Sequence, residues 1–182
     1  MDEIWKRIET WLKQNAPEIR GDLSPGASDS AFVEASKAFG IDLPQEMVDS
    51  YRIHDGSRGG AGPLFGDWRL LSLAAAGRAW NTIVPVTDDE ALDDVEDVAA
   101  PQIKGEWWNP RWLPFASNSS GDFLCVDLDP AESGTPGQII SYYHAEPRRE
   151  LLATGFNQWL SNFAADLESG KYRVEDGWLT RT

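Results

Sequence analysis

Residues 111–144 read RWLPFASNSSGDFLCVDLDPAESGTPGQIISYYH. Apolar residues gather in three short runs, 113–116, 123–127 and 138–143, rich in aromatic and β-branched side chains and separated by Asn, Ser, Gly, Asp and Pro. That pattern predicts three neighbouring strands joined by turns. The acids of the same stretch, Asp122, Asp127 and Asp129, invite a metal reading. With Asp127 as the first ligand of a calcium loop, Asp129 fills the third place. Ala131 then stands at the fifth, Glu132 replaces the glycine of the sixth, and Gln138 replaces the acidic twelfth. The alternative is local: Asp122 follows Ser120-Gly121, and Asp129-Pro130 opens the next turn, where short acids hydrogen-bond their own backbone.

Working outward, the chain has 182 residues, 41% hydrophobic and 11% aromatic, with nine tryptophans, which suits one globular domain with a sizeable core. The net charge of -14 speaks against general affinity for nucleic acid or anionic membranes and favours basic partners. A single cysteine, Cys125, excludes an intrachain disulfide. The first residues, MDEIWKRIETWLKQ, lack the apolar core of a signal peptide, and no apolar run is long enough to span a bilayer, so a cytoplasmic location is expected.

Before the strands lie helices. Ile4, Ile8, Trp11 and Leu12 form one helical stripe, ended by Pro17 and the glycines of 21–26. Phe32, Ala35 and Phe39 mark a second helix stopped by Gly40. Pro44 opens a third, with Met47, Val48 and Tyr51 inward and Asp55-Gly56 closing it. A strand is expected over 65–71 and a further helix over 74–80, capped by Ser72. Thr154 is placed to cap a last helix carrying Phe156, Trp159, Leu160, Phe163 and Leu167, and the tail adds a short strand or drapes over the surface. Helices first and strands grouped later indicate an α+β fold: one domain over 1–182, with a mixed or antiparallel sheet of about five to six strands between N-terminal helices and a C-terminal helix.

Other candidates for chemistry fall short. The glycine-rich stretch 56–63 lacks a phosphate-loop pattern and follows a helix instead of a strand, which makes it a connector. No G-x-S-x-G elbow marks Ser119 or Ser120. The two histidines, His54 and His144, are too few for a three-ligand zinc site. His54 is expected to bond the last carbonyls of its helix, and Cys125 shares a strand face with Phe123 and Asp127 as a small hydrophobe.

Two features suit a protein partner. Residues 87–98 predict a helix with a Thr87-x-x-Glu90 capping box and seven acids, Asp88, Asp89, Glu90, Asp93, Asp94, Glu96 and Asp97, with no base among them. Like charges at i,i+4 cost roughly 0.2–0.5 kcal/mol per pair, a repulsion that a basic partner removes. Trp107 and Trp108, just before Trp112, are candidate interface anchors where half exposed; burial against the sheet is the alternative.

Together these residues carry a resemblance. W-L-P-F-A at 112–116, G-D-F-L-C-V-D-L-D-P at 121–130, G-x-x-G-Q-I-I at 134–140 and F-x-x-W-L at 156–160, with Leu43-Pro44 leading a helix to His54-Asp55-Gly56, resemble the SUKH superfamily. That superfamily includes fungal cell-wall-assembly regulators and bacterial immunity proteins of polymorphic toxin systems. The resemblance covers about 28–170 and leaves an acidic insert at about 87–105 unmatched. It implies an α+β fold and no known catalytic activity; the reading of the residues adds the expectation of no cofactor and no metal. The leading expectation is an immunity protein that neutralises a cognate toxin, possessing a basic surface and acting as a nuclease or other nucleic-acid-targeting enzyme, by direct binding through the acids of 88–97 with Trp107 and Trp108. The alternatives are a regulatory scaffold with an endogenous partner, or a metal-dependent hydrolase using Asp122, Asp127 and Asp129.

Overall fold

The computed structural model describes residues 1–83 and 99–182. The three predicted strands are present as β2 (Trp112–Ser117), β3 (Phe123–Asp127) and β4 (Gln138–Tyr142). They form the centre of a five-stranded antiparallel meander, completed by β1 (Arg69–Leu70) and β5 (Leu151–Ala153) at its edges in the order β1-β2-β3-β4-β5. Register holds along β3, with Cys125 opposite Ile140 and Asp127 opposite Gln138. It slips once in β2, between Pro114 and Ala116. Proline has no N–H for the ladder, so the strand bulges there and turns both Phe115 and Ala116 towards one core.

Side-chain alternation gives the sheet two apolar faces. One carries Leu113, Leu124, Val126 and Ile139 and is covered by helices. The other carries Trp112, Cys125, Ile140 and Tyr142 and is covered by the chain around Ile103 and Trp108. The fold is a single α+β unit, as the grouping of elements predicts.

On the helical side, α1 (Asp2–Asn15) buries Trp5, Ile8 and Leu12, one position round from the predicted stripe, with Ile4 and Trp11 at its margin. Pro17 ends this helix but also opens a short α2 (Pro17–Asp22), the usual place for proline in a first turn. In α3 (Asp29–Phe39), Ser28 Oγ accepts the Ala31 N–H at 3.2 Å, and Gly40 stops the helix at φ 68°. Pro44 sits at the cap of α4 (Gln45–Tyr51), just outside the first turn. Ser72 caps α5 (Leu73–Ile83) through Ala75 N–H at 3.1 Å, as expected.

The last helix, α6 (Phe156–Glu168), lies across the sheet with Phe115 wedged against Phe156 and Trp159, ring centres 5.0 and 4.9 Å away. Its cap differs from the expectation. Gly155 is the cap residue, and Thr154 spends its N–H and hydroxyl on Gln158 Oε1. The helix's orphan donor at Asn157 is satisfied by Glu46 of α4, at 3.0 Å. A partner 111 residues away cannot be read from local sequence.

Two further corrections concern loops. The strand expected over 65–71 shrinks to β1, because Phe65 and Trp68 close a tight turn on each other through Gly66 at φ 70°. The glycine-rich stretch is no loose connector: Asp22 accepts the N–H groups of Gly59 and Gly60 at 3.0 and 2.8 Å, and Arg58 reaches back to the Gly21 carbonyl.

The tail forms a hairpin, β6 (Tyr172–Glu175) and β7 (Trp178–Arg181), around Asp176 and Gly177, both at positive φ. Asp-Gly is the favoured pair for this primed turn. The hairpin seats on Gly62, where an added Cβ would lie 2.4 Å from the Gly177 carbonyl oxygen. Gly62→Ala is therefore expected to push the hairpin off its seat at a cost of roughly 1–3 kcal/mol. Faster amide exchange along 172–181, with β2–β4 unchanged, is the readout.

Candidate functional site

The three aspartates do not form one site. Asp122 enters β3 and Asp127 leaves it, which places them about 16 Å apart along the strand. Asp122 accepts Asn118 Nδ2 at 2.8 Å and both the backbone N–H and the ring Nδ1 of His144, at 3.0 and 2.8 Å. Asp127 is buried, taking the Asp129 N–H and Gln138 Nε2 at 2.9 Å each. Asp129 binds Asn109 Nδ2 at 3.0 Å and Lys104 Nζ at 2.6 Å. The acids sit at turns, as expected, but the side chains that accept local backbone N–H groups there are Asn118, from Ser120 and Asp122, and Asp127, from Asp129. Among the described residues no group of three or more His, Cys, Asp or Glu is placed to hold a metal.

Their titrations follow from these contacts. Burial pushes the Asp127 carboxyl above its ordinary value, against the hydrogen bonds from Asp129 and Gln138. Burial acts upward on Asp122 too, but the bonds from Asn118 and His144 outweigh it, and the net displacement is downward. A carboxyl depressed in the folded state stabilises above its unfolded pKa and loses that contribution as pH falls through the folded value. Wild type is therefore expected to exceed Asp122→Asn in stability by about 1.5–3 kcal/mol at neutral pH, the worth of hydrogen bonds to a charged group. The gap should close below about pH 4. Urea unfolding of both proteins across that range checks the sign.

Of the predicted acidic segment, residues 88–97 lie outside the described residues. Residues 99–105, the end of the proposed insert, run as a strap over the second sheet face. Ala100 N–H bonds the Arg149 carbonyl at 3.0 Å, and Gln138 Nε2 donates to the Gln102 carbonyl at 2.9 Å. Trp108 is 5% exposed, its ring edge-on to Trp112 and Tyr142 at 5.8 and 4.9 Å. It serves the core and offers no ring to a partner. Trp107 is half-buried, beside the Arg149 guanidinium. Arg149, 1% exposed, was no candidate in the sequence, since charged residues are seldom fully buried. Its Nη2 donates to the Trp107 carbonyl at 2.6 Å, its Nη1 to the carbonyls of Tyr143, Glu146 and Arg148, and its Cζ lies 4.5 Å from the Tyr142 ring centre.

The remaining histidine and the cysteine are equally committed. His54 bonds the Ser24 carbonyl and Glu9, at 2.8 and 3.1 Å, and meets Trp5 edge-on, in place of the helix-end carbonyls expected for it. Cys125 is buried in the second core, and desolvation raises its thiol well above the ordinary range. That environment is the reverse of one that activates a nucleophile.

What the structure offers instead is an aromatic groove where α6, the turn at 65–68 and the C-terminal hairpin meet. One cavity of about 350 Å³ lies between α6 and the sheet, over Leu124 and Leu152 and beside Trp159 and Asp166. A second of about 330 Å³ opens under the hairpin, beside Asp67 and Trp178. The two share Phe65, Trp68, Tyr172 and Arg181 as their common wall. Trp178 stands 49% exposed, and Leu152 and Val174 are each 38% exposed nearby on β5 and β6. Asp166, one of two carboxylates in the groove with Asp67, is held by Lys171 Nζ at 2.6 Å and Arg181 Nη2 at 3.5 Å. Among the described residues the lining contains no histidine or cysteine. Half-exposed aromatic rings are enriched at protein-recognition surfaces. Sequence reading missed this groove, although Asp176-Gly177 between alternating residues is a hairpin signal.

With this geometry in place, comparison with known proteins is informative. The model of the SMI1 / KNR4 family (SUKH-1) matches residues 26–162. The chain belongs to the SMI1 / KNR4 (SUKH-1) family. Its relatives include the cell wall assembly regulator SMI1 of Saccharomyces cerevisiae, 21% identical over 94% of this chain and 41% of that protein. The cell wall biosynthesis/cell cycle regulator smi1 of Schizosaccharomyces pombe is 26% identical over 97% of this chain and 38% of its own length. The glucan synthesis regulatory protein of Neurospora crassa is 25% identical over 94% and 39%. The chain thus spans about two fifths of the length of these relatives.

Membership of the SMI1 / KNR4 family agrees with the resemblance carried by the strand segments. The relatives named here are called regulators of cell wall assembly, cell wall biosynthesis and glucan synthesis. None of these names speaks of a toxin, so the immunity expectation gains nothing from them. Among the described residues no helix is long and apolar enough to cross a membrane. The family match ends at residue 162, inside α6, so the second cavity is walled partly by residues within the matched span, 65–68, and partly by the hairpin beyond it.

Proposed function

We propose that this protein is a non-enzymatic binding domain of the regulatory-scaffold kind, which recognises a protein partner through the groove between α6, the 65–68 turn and the C-terminal hairpin. The observation that carries the reading is the set of half-exposed rings, Trp68, Trp159, Tyr172 and Trp178, around two adjoining cavities. Tryptophan and tyrosine supply large contact area at little entropic cost and dominate interface energetics. The net charge of -14 adds long-range attraction towards a basic partner, with the acids of 88–97 contributing seven charges to it.

The test is photo-crosslinking in cells, with benzoylphenylalanine placed at position 178. The control carries it at position 33, where Val33 is 68% exposed on α3 away from either cavity's lining. Discrete protein adducts from position 178 and none from 33 are expected. Equal labelling from both positions, or none from 178, overturns the reading. A narrower form, an immunity protein bound to a cognate toxin with a basic surface, rests on the same charge and the same groove. It requires the crosslinked partner to kill cells when expressed alone and to be silenced by this chain; a harmless endogenous partner favours the scaffold.

A further inference from the structure

The hairpin cavity contains a charge without a counterpart. Asp67 lines it next to Trp68, Tyr172 and Trp178, and its carboxylate forms no ion pair with any described residue. The other carboxylate of the groove, Asp166, already holds two cations, Lys171 and Arg181, so the positive charge of Arg181 on the shared wall is compensated. Burial raises the Tyr172 phenol above its ordinary value, which keeps that ring a neutral π-face. An open carboxylate beside three aromatic rings attracts a cation twice over, by charge and by the ring quadrupoles.

Resting on the groove reading above, we propose that the hairpin cavity takes a lysine or arginine side chain of the protein partner, with its stem along Trp68, Tyr172 and Trp178 and its charge on Asp67. The adjoining cavity, floored by Leu124 and Leu152, then takes a neighbouring apolar side chain of the same segment. Charge complementarity selects this occupant. A second copy of the chain brings another net -14 towards the first, and nucleic acid brings phosphates; both are repelled. The pocket joins Asp67 and Trp68, inside the span matched by the family, to Tyr172 and Trp178 of the hairpin beyond it.

Two capped peptides test it, one alternating leucine with arginine and one alternating leucine with glutamine, each titrated into the ¹⁵N-labelled full chain. The arginine peptide is expected to move the indole N–H signals of Trp68 and Trp178, and the glutamine peptide to bind about tenfold more weakly. Asp67→Asn should shrink that preference to about twofold, while Asp42→Asn, which removes the same charge from an exposed loop, preserves it. Equal binding of the two peptides at the indoles overturns the basic-residue pocket but leaves the groove as a protein site. A loss of preference in Asp42→Asn equal to that in Asp67→Asn assigns the attraction to diffuse acidity and overturns the pocket as well. Indoles unmoved by either peptide also overturn it, and the crosslink from position 178 then decides separately whether the groove binds protein.

Discussion

Arg149→Ala is expected to destabilise the protein by about 3–5 kcal/mol, the range seen when one member of a buried charged network is removed. The guanidinium satisfies the carbonyls of Trp107, Tyr143, Glu146 and Arg148 at once, through Nη1 and Nη2 held in one rigid plane that no other side chain type reproduces. Each carbonyl left buried without a donor costs about 1–3 kcal/mol, reduced where water enters the vacated space. Loss of the cation over Tyr142, Trp107 and Trp112 adds to this. Because the Trp107 carbonyl is among the acceptors, the strap over the second sheet face is expected to loosen with it. Arg149→Lys keeps the charge but offers a point donor, and recovers only part of the loss. Urea unfolding followed by tryptophan fluorescence checks both variants; for a chain of this size the alanine variant should melt roughly 10 °C lower.

Phe115→Ala is expected to cost as much, about 3–5 kcal/mol, through the opposite core. Its ring is fully buried at the bulge of β2 and contacts Phe156 and Trp159 of α6. Truncation opens a cavity between α6 and the sheet that rigid aromatic neighbours cannot close. Phe115→Leu keeps most of the volume and should cost less than about 1.5 kcal/mol. Calorimetric unfolding of the pair checks the difference. Since Trp159 leans on Phe115 and also walls the first cavity, the alanine variant should additionally weaken whatever occupies that cavity.

These two positions show how far the sequence reached. Strands β2, β3 and β4 were legible to within one or two residues at their ends, because alternation and turn residues are local signals and both agreed. So were the Ser72 and Gly40 caps and the places of the turns at Asp122 and Asp129, though Asn118 and Asp127 supply the side-chain acceptors in them. Residues 151–153 carried no alternation and follow a run of charged residues, so β5 went unread. The cap on α6 comes from Glu46, 111 residues away, and Arg149 joins the nearby carbonyls of 143–148 to that of Trp107, 42 residues away; neither distant partner can be read from local sequence. The same limit governs the site. Phe65 and Trp68 meet Trp159, Tyr172 and Trp178 only after the sheet and α6 have brought distant segments together. Trp108, expected at an interface, lies in the core because Trp112 and Tyr142 complete an aromatic cluster around it.

Recognition of a protein through the aromatic groove is the central claim, and the affinity of the partner recovered by crosslinking tests it most directly. Calorimetric titration of that partner is to be run against wild type, Trp178→Ala and Val33→Ala. The groove account predicts a Kd at least about tenfold higher for Trp178→Ala, as for a truncated aromatic anchor, and an unchanged Kd for Val33→Ala. Equal Kd values for wild type and Trp178→Ala, with the hairpin still folded, would contradict it.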